Sequence, residues 1–137
     1  MGDWTEADAA QELAKVRRAC LGLPEASERP SHGSPAFYIR EKRAFVYFWD
    51  DHHCDGRLCV WCAAPDGVQQ EIIETEPERF FRPPYVGHRG WIGVHLREVG
   101  QDELDAIVLE AYRTVAPAVL IKKLALIKQS EGPEASR

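Results

Sequence analysis

Apolar residues near the start of the chain recur at the spacing of one face of an α-helix. Thr5 and Asp8 have the spacing of a capping box, in which each side chain accepts a hydrogen bond from the other residue's backbone N–H. Pro24 cannot donate a backbone hydrogen bond and restricts the residue before it, so we expect it to end the helix. The apolar stripe consists of Leu13, Val16, Cys20 and Leu23.

Beyond Ser31 the pattern changes to the two-residue alternation of a β-strand. Phe37 and Ile39 alternate with more polar residues, and the charged turn Glu41-Lys42-Arg43 then leads into the run AFVYFW. That run is apolar on both faces, as expected for a well-covered strand. A polar loop at residues 50–56 precedes LCVWCA, which predicts the next strand. The lengths predict two antiparallel hairpins in series.

In the second half of the chain, helical patterns surround one strand pattern. VQQEIIET predicts a short acidic helix ending near Pro77, and residues 90–96 predict a strand. We expect Asp102 to be the N-cap of the following helix. After Pro117, AVLIKKLALIK predicts a last amphipathic helix, and residues 129–137 a frayed polar tail. The core face of the helix after Asp102 is expected to be Leu104, Ile107, Val108, Ala111, Tyr112 and Val115.

This order of elements predicts an α+β fold, with an antiparallel sheet that helices cover on one face. The 137 residues suit a single domain, and the chain contains neither an internal repeat nor a linker. We therefore predict one domain over residues 1–128, followed by a flexible tail over residues 129–137.

Composition and charge narrow the class of protein. Hydrophobic residues at 45% and charged residues at 28% are ordinary globular values. A net charge of −5 gives no general attraction to phosphates, so any affinity for nucleic acid must come from a local patch. No apolar run approaches the roughly 20 residues of a membrane span, and the start MGDWTEADAAQEL resembles no secretory signal. We expect a cytoplasmic protein with reduced thiols and no membrane contact.

The stretch DDHHCDGRLCVWC carries metal-ligating residue types, but its spacing argues against a zinc site. Cys59 and Cys62 are three residues apart on a predicted strand, so they point to opposite faces and cannot share one tetrahedral ion. The remaining residues offer too few ligands, and we predict no metal. The other members of the group are His52, His53 and Cys54.

The amino-acid sequence also shows no motif that is typical of an enzyme active site. The serines near His32 lie in no nucleophile elbow, and the glycines at 87, 90 and 93 precede a strand rather than a helix, so they form no phosphate-binding loop. We therefore expect a protein that is not an enzyme and that uses no cofactor.

Cationic and aromatic residues concentrate between Arg79 and Arg97, where RFFRPPYVGHRGWIGVHLR contains no acidic residue. Arginines beside exposed rings can neutralise phosphates and stack on bases. The alternative is that the rings pack the loop onto the core while the arginines pair with nearby glutamates. The candidate nucleic-acid-binding residues are Arg40, Lys42 and Arg43 at a hairpin tip, and Arg82, His88 and Arg89 in the loop around Tyr85.

Several short motifs together resemble the MmcQ/YjbR family in order and spacing, from about residue 13 to residue 117. The resemblance implies a CyaY-like α+β domain and a DNA-binding function that uses two hairpins as wings. By position, the hairpin of Lys42 would be one wing. The motifs are Leu23-Pro24-Glu25, Gly33 with Phe37, Lys42 with Phe45, Pro84-Tyr85 with Gly90-Trp91, and Ala111-Tyr112 before Ala116-Pro117.

Our leading hypothesis from the sequence is a DNA-binding protein that grips the phosphate backbone. The alternative is a small-molecule-binding protein, for sequestration or resistance, with an aromatic-lined pocket. A third hypothesis is an adaptor that docks a partner protein through the AVLIKKLALIK helix. The rings proposed for the pocket are Phe45, Tyr47, Phe48, Trp49, Trp61 and Trp91.

Overall fold

The computed structural model describes the backbone of residues 3–135 and the side chains of residues 3–129. Over that range the chain forms four α-helices and six β-strands. The helices are α1 (Glu6–Leu21), α2 (Val68–Thr75), α3 (Gln101–Val115) and α4 (Ala118–Ala135). The strands are β1 (Ala26–Ser31), β2 (Ser34–Ile39), β3 (Arg43–Asp50), β4 (Leu58–Cys62), β5 (Phe80–Phe81) and β6 (Ile92–His95).

The strands form one sheet in the order β1-β2-β3-β4-β6-β5, and every neighbouring pair is antiparallel. The predicted α+β fold with an antiparallel sheet and packed helices is confirmed. Two of the strands, β1 and β5, were not predicted from the sequence. The segment ASERPS of β1 is polar and contains Pro30, which an edge strand tolerates because its outer N–H groups need no partner.

Helices α1 and α3 pack together on one face of the sheet. Residues that pair directly across neighbouring strands point to the same face. Val46 pairs with Cys62, and Cys62 pairs with Ile92, so these three lie in one row on the helical side. Phe48 pairs with Val60 in the next row on that side.

A β-bulge turns Phe45 toward the helices. Phe37 pairs with Val46 and Tyr38 pairs with Ala44, so Phe45 has no direct partner in β2. Its ring meets the Tyr112 ring edge-on, with 5.7 Å between the ring centroids. The Tyr112 hydroxyl donates a hydrogen bond to the Pro24 carbonyl at 2.7 Å. These contacts join β3, α3 and the segment after α1.

The first helix begins and ends close to the predicted positions. The Thr5 N–H donates to Asp8 Oδ2 at 2.9 Å, and the Asp8 N–H donates to Thr5 Oγ1 at 3.0 Å, as in the predicted capping box. The C-cap is Gly22, two residues before Pro24.

The last two helices differ from the prediction at one end each. The N-cap of α3 is Gly100, so the prediction of Asp102 was wrong; the Gly100 N–H donates to the Glu103 carboxylate at 3.4 Å. The predicted core face of α3 is buried, except that Ile107 is only partly buried. Helix α4 continues to Ala135 instead of ending at Lys128, so the backbone of residues 129–135 is helical; residues 136–137 lie outside the described residues. Within residues 3–135, no helix combines the length and the apolar character that crossing a membrane requires.

Candidate functional site

The sheet face opposite α1 and α3 carries an aromatic surface. Tyr47 pairs with Trp61 across β3 and β4, and Trp49 pairs with Cys59 one row further along. Because directly paired residues share a face, these rings lie side by side on the side of the sheet away from the two helices. The row that contains Tyr47 runs across all six strands as Arg29, Ala36, Tyr47, Trp61, Gly93 and Phe81.

Rings from two strands and two loops converge on this face. The centroids of Trp49 and Trp61 are 5.0 Å apart, and Tyr47 meets Trp61 at 6.3 Å with an angle of 70° between the ring planes. His52 follows β3 and contacts Trp49 at 4.3 Å. Tyr85, from the loop between β5 and β6, meets Trp61 at 6.3 Å. We call these five side chains the ring cluster.

The ring cluster lines a cavity of about 490 Å³. This volume lies within the range of roughly 300–1,000 Å³ that is usual for small-molecule sites, which are mostly apolar with a few polar groups. None of the side chains that line the cavity is acidic. The rest of the wall comes from Ser31, His32, His53 and Val86.

Two hydrogen-bond donors of the ring cluster are unsatisfied. The indole Nε1 atoms of Trp49 and Trp61 are buried and have no hydrogen-bond partner among the described residues. An unpaired buried donor costs about 1–3 kcal/mol, and most buried polar groups in proteins are paired. Both nitrogens are buried from solvent, so they do not form part of the open surface of the cavity.

The backbone around the cavity is strained. Tyr85 has φ 64°, which is a left-handed conformation that bulky residues rarely adopt. Such strain is stored where the surrounding structure holds a residue in place, and it is frequent at ligand-binding sites. The other left-handed residues near the cavity are His32, Asp51, His53 and Cys54.

Burial and neighbouring charges set the protonation of the cavity wall. Burial lowers the pKa of His52 below its ordinary value, and His53 lowers this pKa further, against an opposing effect of Asp55. The His52 imidazole is therefore neutral at pH 7. Burial raises the pKa of Tyr47, and the positive charge of Arg89 acts in the opposite direction. Arg89 thus lies close enough to influence the Tyr47 hydroxyl.

The three basic residues predicted at the hairpin tip are all exposed, but one is paired. Arg40 Nε donates to Glu25 Oε1 at 3.2 Å. Lys42 and Arg43 line a groove whose other wall is the end of α3, at residues 114–117. They have no ion pair within the part of the chain that the structure describes. The groove lies on the helical side of the sheet.

The three basic residues predicted in the loop before β6 are also exposed. Arg82 Nη1 donates to Gln69 Oε1 at 3.2 Å, and the Arg89 guanidinium lies 5.1 Å from the centroid of the Trp91 ring. Trp91 packs against Tyr47 at 5.6 Å, so Arg89 lies on the aromatic side of the sheet. His88 occupies the short 3₁₀ turn Gly87–Arg89.

The structure brings the two basic groups to one end of the sheet but not to one face. The row of Val46, Cys62 and Ile92 shows that the β2–β3 turn and the loop before β6 extend from the same end. Lys42 and Arg43 flank α3, whereas Arg89 lies with Trp91 and Tyr47 on the opposite side.

The rings that the sequence suggested for a pocket also lie on two different faces of the sheet. Tyr47, Trp49 and Trp61 line the cavity, and Trp91 contacts Tyr47 beside it. Phe45 and Phe48 face the helices instead. Four further lining residues were not predicted from the sequence, because they come from turns whose position over the sheet has no sequence signal: His32, His52, His53 and Tyr85.

Metal-ligating residues do not converge in the described part of the chain. Among residues 3–129, no group of three histidine, cysteine or acidic side chains is arranged to hold a metal ion. Cys59 lies on the aromatic face, since it pairs with Trp49, and Cys62 lies on the helical face, since it pairs with Val46. The two thiols therefore occupy opposite sides of the sheet.

Comparison with known proteins identifies relatives of the fold. A family model described as YjbR matches residues 21–114. The crystal structure of protein DR2400 from Deinococcus radiodurans, whose domain has the family description DUF419, superposes with a TM-score of 0.64. The match covers 82% of this chain and 87% of that chain at 17% sequence identity, so it shows a shared fold. None of the curated proteins matches the chain in sequence.

Proposed function

We propose that this chain, which belongs to the YjbR family, binds a small molecule in the aromatic cavity on the open face of its sheet. The observation that carries the proposal is the cavity itself, about 490 Å³ in volume and walled by Tyr47, Trp49 and Trp61. An aromatic ligand placed there would bury apolar surface on three sides and replace water at the ring faces.

The strained loop that carries Tyr85 supports the same proposal. Tyr85 is 72% exposed although it is a large ring held in a strained backbone conformation. A ligand beneath Tyr85 would cover part of that ring.

We propose binding without catalysis. Ser31 Oγ and His32 Nδ1 lie 3.1 Å apart at the cavity wall, which is the distance of a nucleophile and its base. A working pair needs a third group that orients the histidine, and His32 makes no other hydrogen bond among the described residues. The pair is also exposed, so water would screen the charges that a proton transfer from Ser31 to His32 would create.

Tryptophan fluorescence tests the proposal directly, because two of the four tryptophans line the cavity. A library of two-ring aromatic compounds is screened for quenching, and each hit is checked by thermal shift. A ligand at 100 times its dissociation constant adds about 2.7 kcal/mol of stability. In Trp61→Phe the quenching should shrink. In the control Trp4→Phe it should persist, because Trp4 lies near the chain start and its indole donates to Asp50. If no compound quenches or stabilises the protein, the proposal is wrong.

DNA binding is the second candidate function, and the exposed loop before β6 favours it. Arg82, His88 and Arg89 are exposed beside Tyr85 and form no ion pair among the described residues. These cations could contact phosphates while the ring stacks on a base. With Lys42 and Arg43 on the other face, one straight duplex is not expected to contact both groups at once.

Fluorescence anisotropy with a labelled duplex at several salt concentrations tests this candidate. If the four residues Lys42, Arg43, Arg82 and Arg89 all neutralise phosphates, log affinity should fall against log salt with a slope near −3.6. The loop alone predicts about half that slope, and Arg82→Gln with Arg89→Gln should then abolish binding. Arg18→Gln on α1 is the matched control. Salt-insensitive binding, or no binding in the micromolar range at low salt, would count against DNA as the ligand.

A further inference from the structure

We propose that the ligand of the aromatic cavity is a planar aromatic molecule that carries a negatively charged group; the inference rests on the proposed small-molecule function. The cavity wall selects for flat rings, and the positive charge of Arg89 beside it selects for an anion. The two selections come from different residues and can be tested separately.

The walls of the cavity suit a flat ligand. Tyr47 and Trp49 are nearly parallel, at 23° with 6.4 Å between the centroids, and Trp61 stands more steeply to both. Tyr85 closes the arrangement from the loop side. Aromatic pairs prefer offset stacking or edge-to-face contact at 4.5–7 Å, so a planar ligand can meet both kinds of wall with favourable geometry.

Arg89 supplies a positive charge at the edge of the ring cluster. It lies over Trp91, which packs against the lining ring of Tyr47, and its charge acts on the Tyr47 hydroxyl. The side chain is exposed and makes neither an ion pair nor a hydrogen bond with any residue that the structure describes. Its guanidinium donors therefore remain available for a carboxylate, sulfonate or phosphate group.

A second arginine lies on the same face, on the other side of Tyr47. Arg29 is separated from Tyr47 by Ala36 in the cross-strand row. Its guanidinium lies 3.7 Å from the centroid of Tyr38 and donates to the Glu41 carbonyl at 2.7 Å. Arg29 is thus held in place by its neighbours and does not line the cavity.

The same surroundings argue against a cationic ligand. Aromatic cages bind quaternary ammonium groups when the charge around them allows it. Here no lining side chain is acidic, and Arg89 lies beside Trp91 at the edge of the ring cluster.

Three probes of equal ring size and different charge separate the possibilities: 2-naphthoate, 2-naphthalenemethanol and 2-naphthylmethylammonium. Each is titrated into the full chain at low salt, and binding is followed by tryptophan fluorescence and by calorimetry. We expect 2-naphthoate to bind about tenfold more tightly than the neutral alcohol, as for a charge-assisted hydrogen bond, and the ammonium compound to bind most weakly. Added salt should weaken the binding of naphthoate and leave that of the alcohol unchanged.

Arg89→Gln should remove the preference for naphthoate over the alcohol and leave the binding of the alcohol as it is. Arg18→Gln, an exposed arginine on α1 behind the sheet, is the matched control and should keep the preference. Circular dichroism verifies that both variants fold. If Arg89→Gln does not fold, the salt titration of the unmodified protein still tests whether charge determines the preference for naphthoate.

The outcomes distinguish this inference from the proposed function. If all three probes fail to bind, this inference is wrong, and the library screen then decides whether the proposed function is wrong as well. If the alcohol binds as tightly as naphthoate, or the ammonium compound binds best, the cavity is a small-molecule site but the ligand class is wrong. A preference for naphthoate that survives Arg89→Gln would show that Arg89 does not select the anion.

Discussion

Tyr47 of β3 and Trp61 of β4 are direct partners across the sheet, and their rings meet at 6.3 Å at a steep angle on the face without α1 and α3. In many α+β domains the second face of an antiparallel sheet is polar and meets water. Here that face carries large rings and a cavity, and none of the side chains that line the cavity is acidic. This arrangement is the reason that a ligand is proposed for the open face.

Tyr85 should contribute to ligand binding more than to folding. We expect Tyr85→Ala and Tyr85→Gly both to weaken 2-naphthoate binding about two- to tenfold, because each removes one aromatic contact. The glycine variant should be more stable than the alanine variant by about 1 kcal/mol, since position 85 has a positive φ that glycine adopts without strain. Urea denaturation and fluorescence titration measure the two effects. Equal stabilities would show that the backbone at this position is not strained.

Gly93 allows the ring of Phe81 to lie against β6. A Cβ atom at position 93 would approach the Phe81 ring to 2.3 Å, which no side chain tolerates. We expect Gly93→Ala to reduce the free energy of unfolding by about 1–3 kcal/mol through overpacking. In a Phe81→Ala background the same substitution should cost much less, because the ring is gone.

The control for this cycle is Gly22→Ala. Gly22 is the C-cap of α1, has negative φ, and has open space where a Cβ would lie. Its substitution should change stability by less than about 0.5 kcal/mol. If the effects of Gly93→Ala and Phe81→Ala on the free energy of unfolding were additive, the contact between the two positions would not be the cause of the lost stability.

The hydroxyl of Tyr112 should stabilise the fold through one buried hydrogen bond. Tyr112→Phe removes the donor to the Pro24 carbonyl and leaves that acceptor unpaired, so we expect a loss of about 1 kcal/mol or somewhat more in urea denaturation. Tyr38→Phe is the matched control, since the Tyr38 ring is also buried and its hydroxyl makes no hydrogen bond with the described residues. Equal losses in the two variants would contradict the prediction.

Stability should fall at alkaline pH because three thiols are buried. Burial raises the pKa of Cys59 from its ordinary value of 9.0 to about 12, and it raises the pKa of Cys20 and of Cys62 as well. Above pH 9 the unfolded chain releases thiol protons that the folded chain keeps. The contribution of the buried thiols to the free energy of unfolding is therefore complete below pH 9. It is lost as the pH rises toward 12, by about 1.4 kcal/mol per pH unit for each thiol.

Urea denaturation at pH 8, 9, 10 and 10.5 in the presence of a reductant measures this slope. Cys59→Ala should make the decrease of the free energy of unfolding with pH shallower, because one of the three buried thiols no longer contributes to it. Cys54→Ala is the control, because Cys54 is the exposed cysteine among the described residues. A slope that is unchanged in Cys59→Ala would contradict the assignment.

Local patterns predicted most of the regular elements. The capping box of Thr5 and Asp8 was found because its residues are three apart and act within one helical turn. The core face of α3 was found because burial repeats at the helical period. Strand β1 was missed because it is a polar edge strand whose only sheet partner is β2, so its own sequence carries little alternation.

The candidate site was less predictable because it depends on which face each ring occupies. In AFVYFW both faces are apolar, so alternation alone would put Phe45, Tyr47 and Trp49 on one side. The bulge at Phe45 shifts the register by one residue and sends its ring to the helices, while the other two stay on the open face. His52 and Tyr85 join them from loops that are distant in the chain.

The sequence by itself determined the helices, the central strands, the aromatic content and the positions of the basic clusters at two turns, since these depend on neighbours a few residues apart. Only the tertiary structure decided that the rings enclose a cavity, and that Lys42 and Arg43 lie on one side of the sheet and Arg89 on the other. The physical reason is that sheet pairing and one bulge set the facing of every side chain, and this pairing joins residues far apart in the chain.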